Sequence, residues 1–416
     1  VKYTALLLAA MVLAAAHLFA EGGTGFALSG DLDAQAIYND RNSASVFSSL
    51  PEMTAGGLID GKLAFSRQYT ALGLLDFTFQ ETNVIDHVSG AKVEGLSFLV
   101  NEMYSDLNFG DLLYLRLGKQ RLKWGAGFIF NPSDPVNPPK DPTALRAVRE
   151  GVTALKAELI TKGLSVMGFG VFYDALGQTG LGSKISTSAL PGADIAVSGY
   201  WSPSESWTAA LNTSVAPLYE TPGWDTLQLW FEGSLSDKGR YAAFSEGSIP
   251  GAVVPVTAAG LQYSLLVGAS GTLPEMRTVV LAEYYHLSEG LTQGQLGAVY
   301  GALRSPDPAV VAQSSGWLAE LARRPGRQGS DYLFVSLTQP SLTDNGDLVF
   351  DKIGLTASCL ANLIDLSFFA TGGITTTFVK DSEVDLTVSW AHGSEGSEFG
   401  SVPAALAVTL DVKVFF

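Results

Sequence analysis

Residues Val402–Phe416 read VPAALAVTLDVKVFF. Leu406, Val408, Leu410, Val412, Val414 and Phe416 fall on every second position. Ala405, Ala407, Thr409, Asp411 and Lys413 fill the places between. Successive side chains of a strand point to opposite faces, so a period of two makes a strand with one greasy face and one small or polar face. Two settings suit it. One is the last strand of a soluble β-sandwich. The other is a barrel wall between lipid and water, which a tilted strand of about 9–11 residues crosses. The stretch is expected to be the closing strand of the fold, and the rest of the chain decides which setting it has.

The chain has 416 residues, 47% of them hydrophobic and 16% charged, which is more apolar than an ordinary soluble domain. Beyond the first 20 residues no apolar run reaches 18, so no transmembrane helix is expected. Apolar character without such a run is what alternating barrel strands produce. The net charge of −16 excludes nucleic acid as a partner in bulk, while leaving room for a local basic patch. The single cysteine, Cys359, has no partner for an internal disulfide and lies in an apolar strand-like run, as a small packed side chain would.

Residues 1–20 read as a secretory signal peptide: Lys2, then an apolar core over Tyr3–Ala16, with cleavage expected after Ala20. Leu18 is large for its place, so the site is fixed only to within a few residues. A membrane anchor is the competing reading, and the run is short for one. Residues 21–416 are then expected to form one domain, without composition breaks, internal repeats or space for a plug ahead of Phe26.

That domain is a succession of alternating segments: 26–38, 56–68, 70–80, 93–107, 112–122, 152–160, 164–173, 193–201, 207–215, 227–235, 240–246, 258–270, 277–287, 332–339, 347–360, 363–370, 384–390 and the last. Long connections (39–55, 82–92, 123–150, 174–191, 216–225, 247–257, 288–331, 391–402) alternate with short ones such as Asn108–Asp111 and Ser236–Gly239. Bacterial barrels show this alternation of long outer loops with short inner turns. The phase blurs at 360–363 and 371–383, so the expected fold is all-β: a transmembrane, antiparallel, up-and-down β-barrel of about 16–18 strands. Tyr38, Tyr69, Tyr104, Tyr173, Trp201, Trp207 and Trp390 sit at strand ends, as an interfacial girdle would.

Two resemblances bear on this. The final Phe416, preceded by alternating hydrophobic residues, is similar to the terminal signature of bacterial outer-membrane proteins, which implies recognition by the barrel assembly machinery. The stretch Gly118–Val152, GKQRLKWGAGFIFNPSDPVNPPKDPTALRAVREGV, resembles a segment of porin-like outer-membrane families in its order G-K-Q-R-x-x-W-G-x-G, N-P-x-D-P-x-N-P, R-E-G-V. It implies a porin-like barrel in the bacterial outer membrane, surrounded by lipid, and names no solute. Trimers are common in porins, so a homotrimer is one assembly the resemblance allows.

Candidate functional residues follow. The proline-rich loop 123–150 is stiff and cannot join a sheet. It is a candidate constriction, with Arg121, Trp124 and Asp134 in it or at its root, and a cover over the rim is the alternative. Loop 288–331 has helical pattern over Gly294–Leu303 and Pro308–Leu321, followed by Arg323, Arg324 and Arg327. It reads either as a lid or plug at the mouth, whose arginines meet anionic solute or lipopolysaccharide-like phosphate, or as a packed surface loop with solvated charges. Asp76, Arg116, Lys156, Glu158, Glu232, Glu283, Lys352, Asp365 and Asp385 lie on faces opposite the apolar stripe. Facing lipid, a basic residue would cost about 2–4 kcal/mol at the midplane, so these charges are expected to line the lumen, selecting solutes or pairing with one another. None of the common hydrolase, metal-ligand or phosphate-loop motifs occurs, and His87, His286 and His392 are scattered, so neither catalysis nor a cofactor or metal is expected. The function read from all this is passive diffusion of small solutes through the lumen. The rivals are a fatty-acid-type transporter of hydrophobic compounds, a structural or adhesive surface barrel, and a barrel hydrolase with a Ser/His or Asp/His pair at its rim.

Overall fold

A computed structural model describes residues 25–42, 45–47, 53–66, 71–85, 92–110, 112–122, 124–144, 150–173, 179–203, 206–273, 276–343 and 352–415. The signal segment 1–20, Tyr69, His87, Lys123 and Phe416 lie outside them. The described chain folds as β1 (Gly25–Arg41), β2 (Met53–Ser66), β3 (Ala71–Ile85), β4 (Lys92–Phe109), β5 (Leu113–Gln120), β6 (Val152–Thr161), β7 (Leu164–Val171), β8 (Gly180–Leu190) and β9 (Ala193–Ser202). There follow β10 (Ser206–Val215), β11 (Gln228–Glu246), β12 (Val253–Leu273), β13 (Thr278–Leu287), β14 (Asp331–Gln339), β15 (Ile353–Asn362), β16 (Ser367–Thr376), β17 (Ser382–His392) and β18 (Ala404–Phe415). Three helices, α1 (Gln293–Leu303), α2 (Pro308–Ser314) and α3 (Gly316–Ala322), occupy the connection between β13 and β14.

Every strand pairs antiparallel with its sequence neighbours in one 18-stranded sheet, and β1 pairs with both β2 and β18. The sheet therefore has no free edge. Asp33 faces Lys413 and Gln35 faces Asp411 across the closing seam, with Gln35 Nε2 donating to Asp411 Oδ1 at 2.8 Å. The alternation in β18 falls as its sequence implies: Leu410, Val412 and Val414 are exposed on the outer wall, while Asp411 is buried on the inner one. The same division runs round the barrel. Leu117, Leu155, Val197, Leu265, Leu333, Leu386 and others form an exposed apolar belt, and polar or close-packed side chains point inward. Tyr38, Trp201, Trp207 and Trp390 are exposed on that outer wall, with Trp390 and His392 packed on Phe368 at ring separations of 5.2 Å. Tyr104 and Tyr173 do not join the girdle: Arg116 stacks on the Tyr104 ring at 3.7 Å, and Tyr173 bonds through its hydroxyl to the buried Tyr200 at 2.7 Å.

The strand count agrees with the sequence pattern through two differences that offset each other. Ser236–Gly239 has turn composition, yet β11 runs through it with register shifts at Ser236, Lys238 and Ala242. The shift is a bulge, which bends a strand without ending it. Conversely, β8 lies where a long outer loop was expected; its sequence GLGSKISTSAL is dominated by glycine and hydroxyl residues and shows only a faint apolar period. As a result the connection 203–205 is at the outer end and 216–227 at the inner end, the reverse of the expected sides. Lys352 precedes β15 at its inner end and donates to the Phe378 carbonyl at 3.4 Å, and Asp365 belongs to the tight outer connection 363–366. Neither is a mid-strand lumen residue.

Candidate constriction and solute cavity

The long connection between β5 and β6 turns into the barrel. It leaves β5 and reaches β13, eight strands away in an 18-strand order and therefore near the opposite wall. A loop rich in proline and glycine carries backbone N–H groups that no strand satisfies, and burial makes each of them need an acceptor. Two wall carboxylates supply it. Glu232 of β11 accepts from the amides of Ala126, Gly127 (2.6 Å) and Ser133 (3.2 Å), and from the Ser133 hydroxyl (2.8 Å). Glu283 of β13 accepts from the amides of Phe128 (2.5 Å), Ile129 (2.8 Å) and Phe130 (3.4 Å), and from Trp230 Nε1 (3.0 Å). Both glutamates are 0% exposed, so they hold the loop rather than meet solute.

The motif residues of this segment each have a task in that fold. Gly125 has φ +66°, and a Cβ there would stand 2.4 Å from Glu232 Oε1; at Gly127 it would stand 1.9 Å from the Phe130 carbonyl oxygen. Only glycine lets the backbone approach the Glu232 carboxylate so closely at 125 and fold back on the Phe130 carbonyl at 127. Gln120 is buried and donates to the Ala154 carbonyl at 2.9 Å, and Arg121 pairs with Glu102 at 2.6 Å. Asn131 donates to the Trp124 carbonyl at 2.6 Å, and Asn137 to the Leu122 carbonyl at 2.7 Å. Asp134 Oδ1 accepts from the amides of Val136 (3.1 Å) and Asn137 (2.9 Å), an Asx turn that folds the loop on itself. Trp124 is buried against Phe169 at 5.1 Å, on a cluster with Leu122, Val136, Met167 and Val171. Ile129 and Phe130 are buried on the other side with Leu266, Tyr285 and Phe334. The loop is thus packed at both ends and crosses the interior between them.

The connection 288–330 forms a lid over the same half of the barrel. Thr292 and Gln295 make a capping box at α1, Asp307 caps α2, and the expected single helix over 308–321 breaks at Ser315–Gly316. Leu296, Val299, Tyr300, Val310, Trp317 and Leu321 bury one core with Ala252 and Val253. Arg324 is completely buried, with its guanidinium 5.4 Å from the Trp317 ring, 5.6 Å from Tyr241 and 3.9 Å from Glu320. It pins the lid to β11. Arg323 is largely exposed, and Arg327 stacks on Phe130 of the crossing loop at 5.2 Å.

Between the crossing loop, the lid and the inner faces of β10–β13 lies a cavity of about 350 Å³. Lys140, Lys238, Arg240, Arg323 and Arg327 line it, against the acids Asp134 and Glu289. Arg240 donates to the Asp134 carbonyl at 2.9 Å, and Lys140 donates to the carbonyls of Gly127 and Phe128. Burial lifts the Glu289 carboxyl to about 7, even though it accepts the Tyr241 amide at 3.1 Å. The bulge in β11 is what turns Lys238 and Arg240 toward this space, and a bulge is not visible as a motif in the sequence.

The other sequence candidates are paired along the inner wall. Arg116 forks onto Asp106 at 2.6 and 2.7 Å. Lys156 meets Glu158 at 3.1 Å, which also accepts from Ser165 at 2.9 Å. Asp76 stands opposite Glu102 in register, and its side chain is outside the described residues. Asp385 and Asp411 face each other on β17 and β18 and, with Asp33 of β1, make one side of the interior acidic. At the outer rim His286 Nδ1 lies 2.9 Å from Asp331 Oδ1, on the outward face, and Asp331 also accepts from the hydroxyls of Tyr284 and Ser330, each at 2.5 Å.

No family model matches the chain, and no curated protein does. Solved structures do. OccAB1 of Acinetobacter baumannii is similar at TM-score 0.57 and 12% identity, over 94% of this chain and 96% of that one. OccK5 (OpdH) of Pseudomonas aeruginosa gives 0.56 at 8% identity, over 94% and 98%. The outer membrane protein OprD of Pseudomonas aeruginosa gives 0.50 at 10%, over 94% of each. Identities this low speak for the fold. Over its described residues the chain forms an 18-stranded antiparallel up-and-down β-barrel, with the fold of these outer-membrane proteins.

Proposed function

We propose that the chain is a porin-like channel of the bacterial outer membrane, passing small hydrophilic solutes by passive diffusion. The observation that carries this reading is the loop after β5, fastened across the lumen by Glu232 and Glu283. A barrel of this strand number encloses a water-filled interior, and a loop crossing it sets the width of the path. The membrane is recognised by the exposed apolar belt, and the acidic wall around Asp33, Asp385 and Asp411 faces the basic cavity across the interior. Phe416 is the residue through which the barrel assembly machinery would read the chain, and a homotrimer is its proposed assembly. A fatty-acid-type transporter needs an apolar path, which the lysines and arginines of the cavity oppose. The test is single-channel recording in planar bilayers with heat-modifiable, folded protein. Stepwise conductance in KCl is expected. A folded preparation that inserts and carries no current removes the proposal.

A further inference from the structure

The connection 216–227, APLYETPGWDTL, leaves the inner end of the barrel, where bacterial barrels keep their turns short. The inner connections 162–163, 191–192 and 377–381 follow that habit, and this one does not. It is wound into consecutive turns. The amides of Tyr219, Thr221, Trp224 and Leu227 donate to the carbonyls of Ala216, Leu218, Thr221 and Trp224 at 3.3, 2.9, 3.0 and 3.0 Å. It is also fastened on both sides. The Ala216 amide donates to the Gly192 carbonyl at 2.7 Å, and Thr226 Oγ1 accepts from the Thr272 amide at 3.0 Å. The Tyr219 ring lies so close to Gly192 that a Cβ there would stand 2.8 Å from its Cδ1. The connection is therefore a fixed projection.

Its side chains nevertheless cover nothing. All of residues 217–226 are exposed, Leu218, Tyr219 and Trp224 among them. Trp224 is 61% exposed, more than Trp201 (49%), Trp207 (40%) or Trp390 (47%) on the lipid-facing wall. An ordered apolar patch of this kind marks a surface that something else covers. Its position says what. The connection leaves β10 at Val215 and enters β11 ahead of Leu229, a pair in register on the outward face that also carries Leu211 and Leu235. Leu190 and Leu273, at the inner ends of β8 and β12, are exposed to either side of it. The patch thus continues the inner edge of the apolar belt that meets hydrocarbon. Trp and Tyr rings, apolar in body and polar at one tip, sit at the level of lipid headgroups. Glu220 and Asp225, the only charges in the connection, can stay in the water beyond.

We propose that the connection 216–227 is a membrane shelf, which lies on the inner leaflet and seats Leu218, Tyr219 and Trp224 among phospholipid headgroups and the first acyl carbons. The aromatic girdle of a barrel is carried by its strands. This contact lies outside the wall, beside β8–β12, and it does not depend on the channel reading.

The experiment is depth-dependent quenching of Trp224 in the full chain, reconstituted into phosphatidylcholine vesicles and read as the difference in emission between the parent and Trp224→Phe. Phosphatidylcholine brominated near the headgroup is expected to remove at least about half of that difference emission, and phosphatidylcholine brominated near the methyl ends about threefold less, as for a ring roughly 5–10 Å below the surface. Aqueous iodide is expected to leave it nearly unchanged. Strong quenching by iodide with none by either lipid overturns the proposal: the projection then stands in water, with its apolar face open to a soluble partner. Quenching by the deep lipid in preference to the shallow one overturns it as well. Should Trp224→Phe not reach the heat-modifiable folded form, Leu218→Cys in a Cys359→Ala background carries a polarity-sensitive dye to the same surface. A dye whose emission shifts to the blue in vesicles supports the shelf, and emission as in water overturns it.

Discussion

At the scale of single residues, the wall glutamates decide what the crossing loop does. A buried carboxylate is tolerable where donors surround it, and a buried amide where an acceptor meets it, and here each solves the problem of the other. Replacing Glu283 by alanine strands the amides of Phe128, Ile129 and Phe130 together with Trp230 Nε1. Each buried donor left without an acceptor costs about 1–3 kcal/mol. The loop has a cheaper course, which is to leave the wall and let water in. Glu283→Ala is therefore expected to raise single-channel conductance and current noise, with the barrel still folded. Glu283→Gln, which keeps one acceptor oxygen, should fall between. Recordings of both variants indistinguishable from the parent would show that the loop is held elsewhere. Glu232 and Glu283 are legible in the sequence as charges on the lumen face. Their partners in the loop are not, because they lie 99 to 155 positions away along the chain and no local pattern links the two.

At the scale of elements, the lid is tied to the neighbouring outer connection 393–403 through Glu398. That carboxylate accepts from the Tyr332 hydroxyl at 2.5 Å and from Asn362 Nδ2 at 2.9 Å, with the Gln328 amide at 3.4 Å, and Gln328 in turn accepts the Tyr300 hydroxyl of α1 at 2.7 Å. Asp365, the nearest other charge, takes the Glu398 amide at 2.7 Å and repels its ionised form. Burial raises the Glu398 carboxyl from an ordinary 4.5 to about 7. The sign follows from which state holds the proton. Below pH 4.5 the docked and the detached loop are both protonated and nothing is lost. As pH rises toward about 7 the detached loop has given up its proton and the docked one has not, so docking weakens across that window. The full loss, on the order of 3 kcal/mol, is reached above it. Hydrogen exchange of residues 393–402, corrected for intrinsic rate, should speed up between pH 5 and 8, and Glu398→Gln should flatten the profile. A parent profile already flat would mean the carboxyl ionises without disturbing the dock. The helices of this lid were readable from their period, and the latch was not, since it joins three connections far apart in the chain. The strands divide in the same way. Those with a bold apolar period were placed; β8, built of glycine, serine and threonine, was not, and the SDKG run in β11 imitated a turn because bulges and turns draw on the same residues.

At the scale of the whole molecule, what matters is that alternation in each strand adds up to one inside and one outside. The closing strand shows it most plainly. Leu410 is exposed on the outer wall, its neighbour Thr409 points inward, and β18 joins both β17 and β1 so that no edge is left to aggregate. The sequence carried this division almost intact, because the period of two survives wherever one face meets lipid. It lost the sidedness of the connections between β9 and β11, where one missed strand and one divided strand shifted the phase and then restored it. The division predicts opposite consequences for one substitution at two adjacent positions. Leu410→Arg puts a guanidinium in hydrocarbon near the middle of β18 and should lower unfolding free energy in phospholipid vesicles by about 2–4 kcal/mol. Thr409→Arg puts the same group into the watery interior and should change it by less than about 1 kcal/mol. Equilibrium urea unfolding followed by tryptophan fluorescence measures both. Equal costs at the two positions would mean that the wall does not separate lipid from water at this strand, and the channel would lose its physical basis along with it.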